Sequence, residues 1–409
     1  MKFCLIGEKL SHSYSKEIHN FCGLDYTLKE IVRCGVQDFV QNSSYHGFNV
    51  TIPYKKDVLP FLNEVSSEAR AIGAVNTVLN KNGKLYGFNT DVDGIEYTFK
   101  RKGINLSLKK VLILGTGGAS KAVYYVCKKY GAECIFVSRS GEVNYQNCYD
   151  VKGVNVIVNA TPVGMYPLTN ETPIDLSKFN NLEFVFDLIY NPQKTLLIKQ
   201  AEKLNISHSN GLPMLVEQAL KAQDIWLSKT HSDRDTEEII SKLSGDKLNI
   251  ALMGMPGCGK STVGRVLADY LGKEFIDLDE EITLYKGKPP SEIIAELGEK
   301  EFRDIETKVL NKVAIKSGVV IALGGGAVIK EENRRLLSLN SVTVYLKRDL
   351  ALLEKKNRPL SNSVGVDELY KQRKEFYETA DIVVDNDKSV DKCVKEIANS
   401  YEIARNKWS

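Results

Sequence analysis

Two glycine-rich stretches, VLILGTGGAS at residues 111–120 and IALMGMPGCGKST at residues 250–262, each follow or contain an apolar run that reads as a buried strand. A strand, a tight glycine turn and a helix together aim backbone amides at phosphate oxygens from the edge of an open α/β sheet. Two such turns in one chain predict two nucleotide-binding folds of different chemistry. In the second, Gly254, Gly259, Lys260 and Ser261 complete the phosphate-loop pattern. There the amides of Gly257, Cys258, Gly259 and Thr262 cradle phosphates, Lys260 reaches the outer ones and the Ser261 hydroxyl meets Mg2+. In the first, Gly115 and Gly117 hold the first two fingerprint positions and Ser120 replaces the third glycine.

The strand after the first turn ends IFVSRS, where an acidic residue would hold the ribose hydroxyls of NAD; Ser138, Arg139 and Ser140 stand there instead. A planar guanidinium beside two hydroxyls suits a 2′-phosphate, so NADP(H) is expected over NAD. Outward from both turns, apolar runs of strand length alternate with amphipathic segments: KFCLIG, GFNVTIP, ECIFVS, VNVIVNAT and EFVFDLIY in the first part, KEFIDLD, GVVIALGGG and VTVYLK in the second. That alternation predicts α/β layering with parallel sheets flanked by helices.

The 409 residues are enough for two or three domains, and 43% hydrophobic content supplies real cores. A formal net charge of +3 gives no field for nucleic acid or a membrane surface. The eight cysteines form no CxxC pair, no apolar stretch approaches the roughly 20 residues of a membrane-spanning helix, and the chain reads as a reduced, cytoplasmic enzyme of small molecules. The polar stretch around residues 231–246 is the expected linker, its TEEIISKL spacing equally compatible with a tether or a helix.

The first part also carries GEKLSHSYSKEIHN, with Ser13 and Ser15 at alternate positions of a polar loop, then GFNVTIPYKK, AIGAVNTV and GFNTDVDG, with Thr51, Lys55, Asn76 and Asp91 at strand ends or turns. Singly, Lys55 reads as a surface lysine and Asp91 as a helix cap. In this order, and continued by VNATPVGM, FDLIYNPQKT and GLPMLVEQA, the set resembles shikimate dehydrogenase over residues 1 to about 229. The resemblance implies a substrate-binding domain at 1–92, completed by a helical return at about 211–230, and a Rossmann-type NADP domain at 93–210. It implies that Ser13, Ser15, Thr51, Asn76, Asp91, Tyr190 and Gln218 hold shikimate or 3-dehydroshikimate, with Lys55 and Asp91 as the catalytic pair. Gly117, Gly118 and Ala119 would meet the pyrophosphate, and Leu188 and Gly211 the nicotinamide region. His12 and His19 are expected to be structural. Lys9 and Lys16 stand where the family usually has proline.

Behind the phosphate loop, FIDLDEEI offers Asp277 and Asp279, placed by i, i+2 spacing on one face of a strand end. Arg303, the GGG of Gly324 to Gly326, Arg358 in NRPL and Arg373 follow. Singly, each arginine could be a surface ion pair. Together these residues resemble shikimate kinase across essentially all of residues 247–390, which implies a P-loop domain at 247–409. The resemblance implies Lys260 on ATP, Ser261 and Asp277 at Mg2+, and Asp279 as the base on the acceptor hydroxyl. Arg303, Gly325 and Arg373 would hold shikimate, and Arg358 would close over the nucleotide from a short lid without a clear second arginine. A thiol inside the loop, Cys258, is a candidate for oxidation. The joint expectation is a bifunctional enzyme, monomeric or homodimeric, that reduces 3-dehydroshikimate with NADPH and phosphorylates the shikimate formed. A quinate dehydrogenase, another small-molecule kinase and a decayed sensing module are the alternatives.

Overall fold

The structure, a computed structural model, describes residues 1–10, 13–353, 365–405 and 408. The chain divides into two compact units, one formed by Met1–Tyr190 and Thr195–Ile240, the other by Asn191–Lys194 and Ser241–Ser409. Arg358, and with it the expected lid, lies outside the described residues, as does His12.

In the first unit the described strands are β1 (Phe3–Gly7), β2 (Tyr26–Glu30), β3 (Gly47–Val50), β4 (Glu64–Val65), β5 (Thr77–Lys81) and β6 (Lys84–Phe88), in the order β2-β1-β3-β5-β6-β4. This sheet is mixed. β1 runs parallel to β2 and β3, but β5 is antiparallel to both β3 and β6. The β5–β6 hairpin turns at Asn82 and Gly83, both at positive φ (54° and 79°), a two-residue Asn-Gly turn whose twist matches that of the strands it joins. Around this sheet lie α1 (Ser15–Phe21), α2 (Val36–Asn42) and α3 (Ser67–Ile72).

α4 (Asp91–Arg101) leads to a second sheet of β7 (Lys110–Leu114), β8 (Glu133–Val137), β9 (Val156–Asn159), β10 (Phe184–Asp187) and β11 (Ser207–Ser209), in the order β11-β10-β9-β7-β8. Every pair is parallel. Its strands are nearly continuous apolar runs, because helices such as α5 (Gly118–Lys129) and α6 (Leu196–Lys203) accompany the sheet. Ile95 and Phe99 of α4 share a core with Val111, Ile113 and Phe186 of this sheet and with Met214 of α7 (Leu212–Leu227).

The expected linker is a helix, α8 (Asp233–Lys247). Its first turns are fastened to α4: Arg101 donates twice to Glu237 (2.6 and 2.9 Å), Tyr97 donates to the same carboxylate (2.6 Å), and Lys100 meets Asp233. Three donors on one carboxylate hold a helix that its polar sequence alone would not.

The second unit is built on β12 (Asn249–Met253), β13 (Glu274–Asp277), β14 (Val319–Ala322), β15 (Ser341–Lys347) and β16 (Ile382–Asp385), all parallel in the order β13-β14-β12-β15-β16. Its helices are α9 (Lys260–Leu271), α10 (Leu278–Lys286), α11 (Pro290–Ala314), α12 (Glu331–Leu337), α13 (Val366–Tyr377) and α14 (Val390–Arg405). β12 is central, so the loop after it opens at the carboxyl edge of the sheet, where open α/β folds bind ligands. Among the described residues no helix is long and apolar enough to cross a membrane.

Candidate active sites

In the first unit, β5 begins just after Asn76 and α4 begins at Asp91, so the start of a strand and the start of a helix bring two polar side chains together. Asn76 Nδ2 donates to Asp91 Oδ1 at 2.9 Å, to Thr90 Oγ1 at 3.1 Å and to Gln218 Oε1 at 3.4 Å, while its own Oδ1 accepts from the Thr90 amide at 2.8 Å. Lys55 Nζ then donates to the other oxygen of Asp91 at 2.5 Å. Asp91 is only 5% exposed, yet its carboxylate caps no helix amide; it serves the lysine and Asn76. Lys55 keeps 19% of its side chain open, enough for an ammonium to meet a ligand.

Ser13 Oγ donates to Ser15 Oγ at 3.1 Å, which places the two hydroxyls side by side. Between them Tyr14 packs its ring 5.1 Å from that of Tyr190. Burial pushes the Tyr190 phenol up to about 12, so it is a neutral donor. Thr51 lies at the end of β3 with its amide bonded to the Ile6 carbonyl. Thus Lys55, Asn76, Asp91 and Gln218 form one network and Ser13 and Ser15 a second pair. His19 is fully buried, stacked 4.0 Å from Tyr26 and bonded to Gln223; burial drives its pKa down to about 3, so it stays neutral.

The dinucleotide turn follows β7. Gly115 has φ +98°, a conformation a side chain resists, and Gly117 precedes the first turn of α5. A Cβ on Gly117 or Gly118 would meet open space, which leaves their backbone approachable by a pyrophosphate, with Ala119 one residue further into the helix. Ser120 is wholly buried behind the turn. Ser138, Arg139 and Ser140 follow β8, with Arg139 and Ser140 exposed. This donor set fits a dinucleotide with a 2′-phosphate.

Gly211 packs where a Cβ would come within 2.0 Å of the Leu188 carbonyl oxygen, so these two residues of the nicotinamide expectation do lie together. Beneath them is a group that sequence reasoning passes over. Asp187 ends β10 wholly buried and accepts from Thr195 Oγ1 (2.6 Å), Asn159 Nδ2 (3.0 Å) and the Ile189 amide (3.1 Å). Burial pushes its carboxyl up to about 7 against those three donors.

In the second unit a cavity of about 1270 Å³ opens over the phosphate loop. Gly254, Gly257 and Gly259 all have positive φ, so the loop can curl with its amides inward, and Gly259 precedes α9. Lys260 is 8% exposed and donates to the carbonyls of Gly254 and Met255 at 3.0 and 3.1 Å, which tethers it across the loop. Ser261 donates to Asp277 Oδ2 at 2.5 Å. A hydroxyl and a carboxylate beside a phosphate cradle are the hard oxygen ligands Mg2+ takes, the remainder coming from phosphate and water. Asp277 and Asp279 both line the cavity, but not from one strand face: Asp277 ends β13 and accepts from the Asp279 amide at 3.0 Å, so Asp279 sits in the first turn of α10.

Cys258 is not brought to the cavity. Its side chain is fully buried, its amide donates to Met255 and its carbonyl accepts from Asn386 at 2.6 Å, so it neither faces a nucleotide nor offers a thiol to oxidants. Gly257, Gly259 and Thr262 do line the cavity.

The cavity is also lined by Arg303, Arg373 and the three glycines after β14. Close approach makes those glycines necessary. A Cβ on Gly324 would stand 2.6 Å from Glu306, on Gly325 2.7 Å from Pro256, and on Gly326 2.1 Å from Arg303. Arg303 and Arg373 are 8% and 2% exposed. Glu306, fully buried, accepts from Arg303 Nη1 at 2.8 Å, while Glu299 accepts from Nη2 at 3.0 Å. Burial raises the Glu306 pKa, with nearby Asp279 adding to it, against the pull of Arg303. The i, i+3 spacing of Arg303 and Glu306 on α11 was the signal available in the sequence.

Comparison with known proteins gives the two halves separately. A family model described as shikimate dehydrogenase substrate binding domain matches residues 5–78, and one described as shikimate kinase matches residues 256–402. The shikimate dehydrogenase (NADP(+)) of Caldicellulosiruptor bescii is 38% identical over 256 residues, which cover 55% of this chain and 88% of the relative. The crystal structure of shikimate dehydrogenase 1 from Peptoclostridium difficile is 36% identical with a TM-score of 0.55, covering 59% of this chain and 97% of that one. A chorismate mutase/shikimate 5-dehydrogenase fusion protein from Clostridium acetobutylicum is 36% identical with a TM-score of 0.57, covering 59% of this chain and 96% of that one. The chain belongs to the shikimate dehydrogenase family and carries a shikimate kinase domain in its second unit.

Proposed function

We propose that this enzyme performs two consecutive steps in the cytoplasm, the NADPH-dependent reduction of 3-dehydroshikimate and the ATP-dependent phosphorylation of the shikimate so made. The observation that carries the reading is the pairing, in one chain, of the part-buried Lys55–Asp91 couple with a phosphate-loop cavity that also holds Asp279, Arg303 and Arg373.

In the first step bound NADPH would supply the hydride that the ketone carbon takes up. The oxygen then carries alkoxide charge, and the Lys55 ammonium gives it a proton while Asp91 and Asn76 hold the lysine and the ring hydroxyls in place. Ser13 and Ser15 donate to the substrate carboxylate, with Thr51, Tyr190 and Gln218 on the remaining hydroxyls. Gly115, Gly117, Gly118, Ala119 and Arg139 hold the dinucleotide. In the second step the new hydroxyl gives its proton to Asp279 and attacks the γ-phosphorus of ATP, breaking its bond to the β,γ-bridging oxygen so that ADP leaves, while Arg303 and Arg373 fix the carboxylate in a fork-like clamp. Lys260 and the loop amides take up charge on the transferring phosphoryl. Mg2+, held by Ser261 and Asp277, would neutralise the outer phosphates.

The deciding experiment gives the purified chain 3-dehydroshikimate and NADPH, with and without MgATP, and follows NADPH absorbance and shikimate 3-phosphate by mass spectrometry. Shikimate without ATP and its 3-phosphate with ATP is the expected pair of results. Shikimate that accumulates despite ATP overturns the kinase assignment, and no loss of NADPH overturns the dehydrogenase one.

A further inference from the structure

We propose that Arg348, one residue beyond β15, is a nucleotide-binding arginine of the kinase unit, contacting the phosphate chain where it leaves the loop toward the nucleoside. The inference rests on the kinase reading of that cavity. The cavity holds two chemically distinct groups of residues. Asp279, Arg303 and Arg373 gather around Glu306; Arg348 and Asn386 stand at Gly259 of the phosphate loop, and Leu352, Asp387 and Lys388 also line the cavity. The acceptor needs the carboxylate and the arginine clamp, which leaves the second group for the nucleotide.

In that second group Arg348 stands against the phosphate loop itself. Its Nη1 lies 3.8 Å from the point a Cβ on Gly259 would occupy, beside Asn386, whose Nδ2 lies 2.8 Å from the same point. Asn386 is committed to the Cys258 carbonyl and fixes the loop. Arg348 has no such commitment. Its Nε is buried without a hydrogen-bond partner, and no carboxylate of the described residues lies within ion-pair distance of its guanidinium. A half-buried guanidinium with an orphaned donor, at the start of a helix whose amides already favour anions, lacks the counter-charge that a nucleotide phosphate would bring. The sequence sharpens the point, because no other arginine occurs between Arg348 and Arg358. The guanidinium acts here as a binder of ground-state nucleotide, distinct from the residues that meet the transferring phosphoryl.

The test is calorimetric titration of MgADP into the full chain, with steady-state KM values for ATP and shikimate, in wild type, Arg348→Ala and Arg348→Lys. Arg348→Ala is expected to raise the MgADP Kd and the ATP KM about tenfold or more, the scale of one charge-assisted hydrogen bond. Arg348→Lys should recover most of that loss, since a point charge suffices for phosphate. The shikimate KM and the dehydrogenase rate should not move. An unchanged MgADP Kd in Arg348→Ala, an equal loss in Arg348→Lys, or a parallel rise in shikimate KM would each overturn the assignment. A wild-type chain that binds no MgADP would instead sink the kinase reading beneath it.

Discussion

Lys55 and Asp91, 36 residues apart in the chain, meet with Nζ 2.5 Å from Oδ2, and Asn76 holds the second oxygen of the same carboxylate at 2.9 Å. The lysine arrives just after β3 and the aspartate on the first residue of α4, so the pair exists only once sheet and helix are packed. Lys55→Ala should therefore cost the reduction of 3-dehydroshikimate about 10²- to 10⁴-fold in kcat, the range for a positioned general acid. Phosphorylation of added shikimate should stay at the wild-type rate. Stopped-flow NADPH oxidation beside a coupled ADP assay reads both; loss of both activities would mean the lysine holds structure.

Glu306 is the counter-charge of Arg303 inside the kinase cavity. Glu306→Ala leaves a buried guanidinium with only the half-exposed Glu299, and breaking a buried pair in this way costs about 3–5 kcal/mol. The freed Arg303 can then swing from the acceptor site, so the shikimate KM should rise while the ATP KM holds. Urea unfolding followed by fluorescence, with both KM values, checks this. Glu306→Gln, which keeps the volume and one acceptor, should lie between; a Glu306→Ala chain with unaltered shikimate KM would remove the residue from the site.

Much of this was legible because it is local. A phosphate loop is a contiguous string, and its pattern glycines Gly254 and Gly259 both carry positive φ values. Lys55 and Asp91 were legible through order along the chain, although nothing local brings them within 2.5 Å. What failed was the inference from spacing alone. Asp277 and Asp279 do share the cavity, but across a strand–helix junction at which one carboxylate caps the other's amide. The antiparallel β5–β6 hairpin was signalled by Asn82-Gly83, yet the dominant alternation of strands and helices masked it. Cys258 shows the reverse: its position inside the motif is real, and packing turns its thiol inward. The α8 helix depends on Tyr97 and Arg101, more than 130 residues upstream, which no window around residues 231–246 contains.

His231 gives a pH dependence. Its ring lies between Glu217 (3.0 Å) and Asp224 (2.8 Å), and the hydrogen bond to Glu217, more than the opposing burial, raises its pKa to about 9. Unfolded, the imidazole titrates near 6.5. Because the folded pKa is the higher one, the stabilisation is complete below about pH 6.5 and is lost as pH rises through 9. The thermal midpoint of the first unit should thus decline more steeply across that window in wild type than in His231→Gln. Differential scanning calorimetry at half-unit intervals reads the difference, and parallel profiles for the two chains would count against a charged His231.

Gly211 tests how closely the end of β10 and the start of α7, proposed to flank the nicotinamide, must approach. Its φ of −79° is open to any residue, so backbone strain is not at issue. The obstacle is the Leu188 carbonyl, whose oxygen and carbon would stand 2.0 and 2.5 Å from a Cβ there. That carbonyl cannot retreat cheaply, because the Leu188 amide is bonded to Asn159, the Ile189 amide to Asp187, and the Ile189 carbonyl to the Gly211 amide itself. Gly211→Ala must push the start of α7 from the end of β10, an overpacking that costs about 1–3 kcal/mol. The same α7 carries Gln218 toward Asn76, so the displacement reaches the proposed substrate network as well as the proposed cofactor site. The expected result is a lower thermal midpoint of the first unit and a fall in kcat/KM for both NADPH and 3-dehydroshikimate, with phosphorylation of added shikimate intact. A Gly211→Ala chain that reduces its ketone at the wild-type rate would show that the Leu188–Gly211 approach is packing without consequence for the reaction.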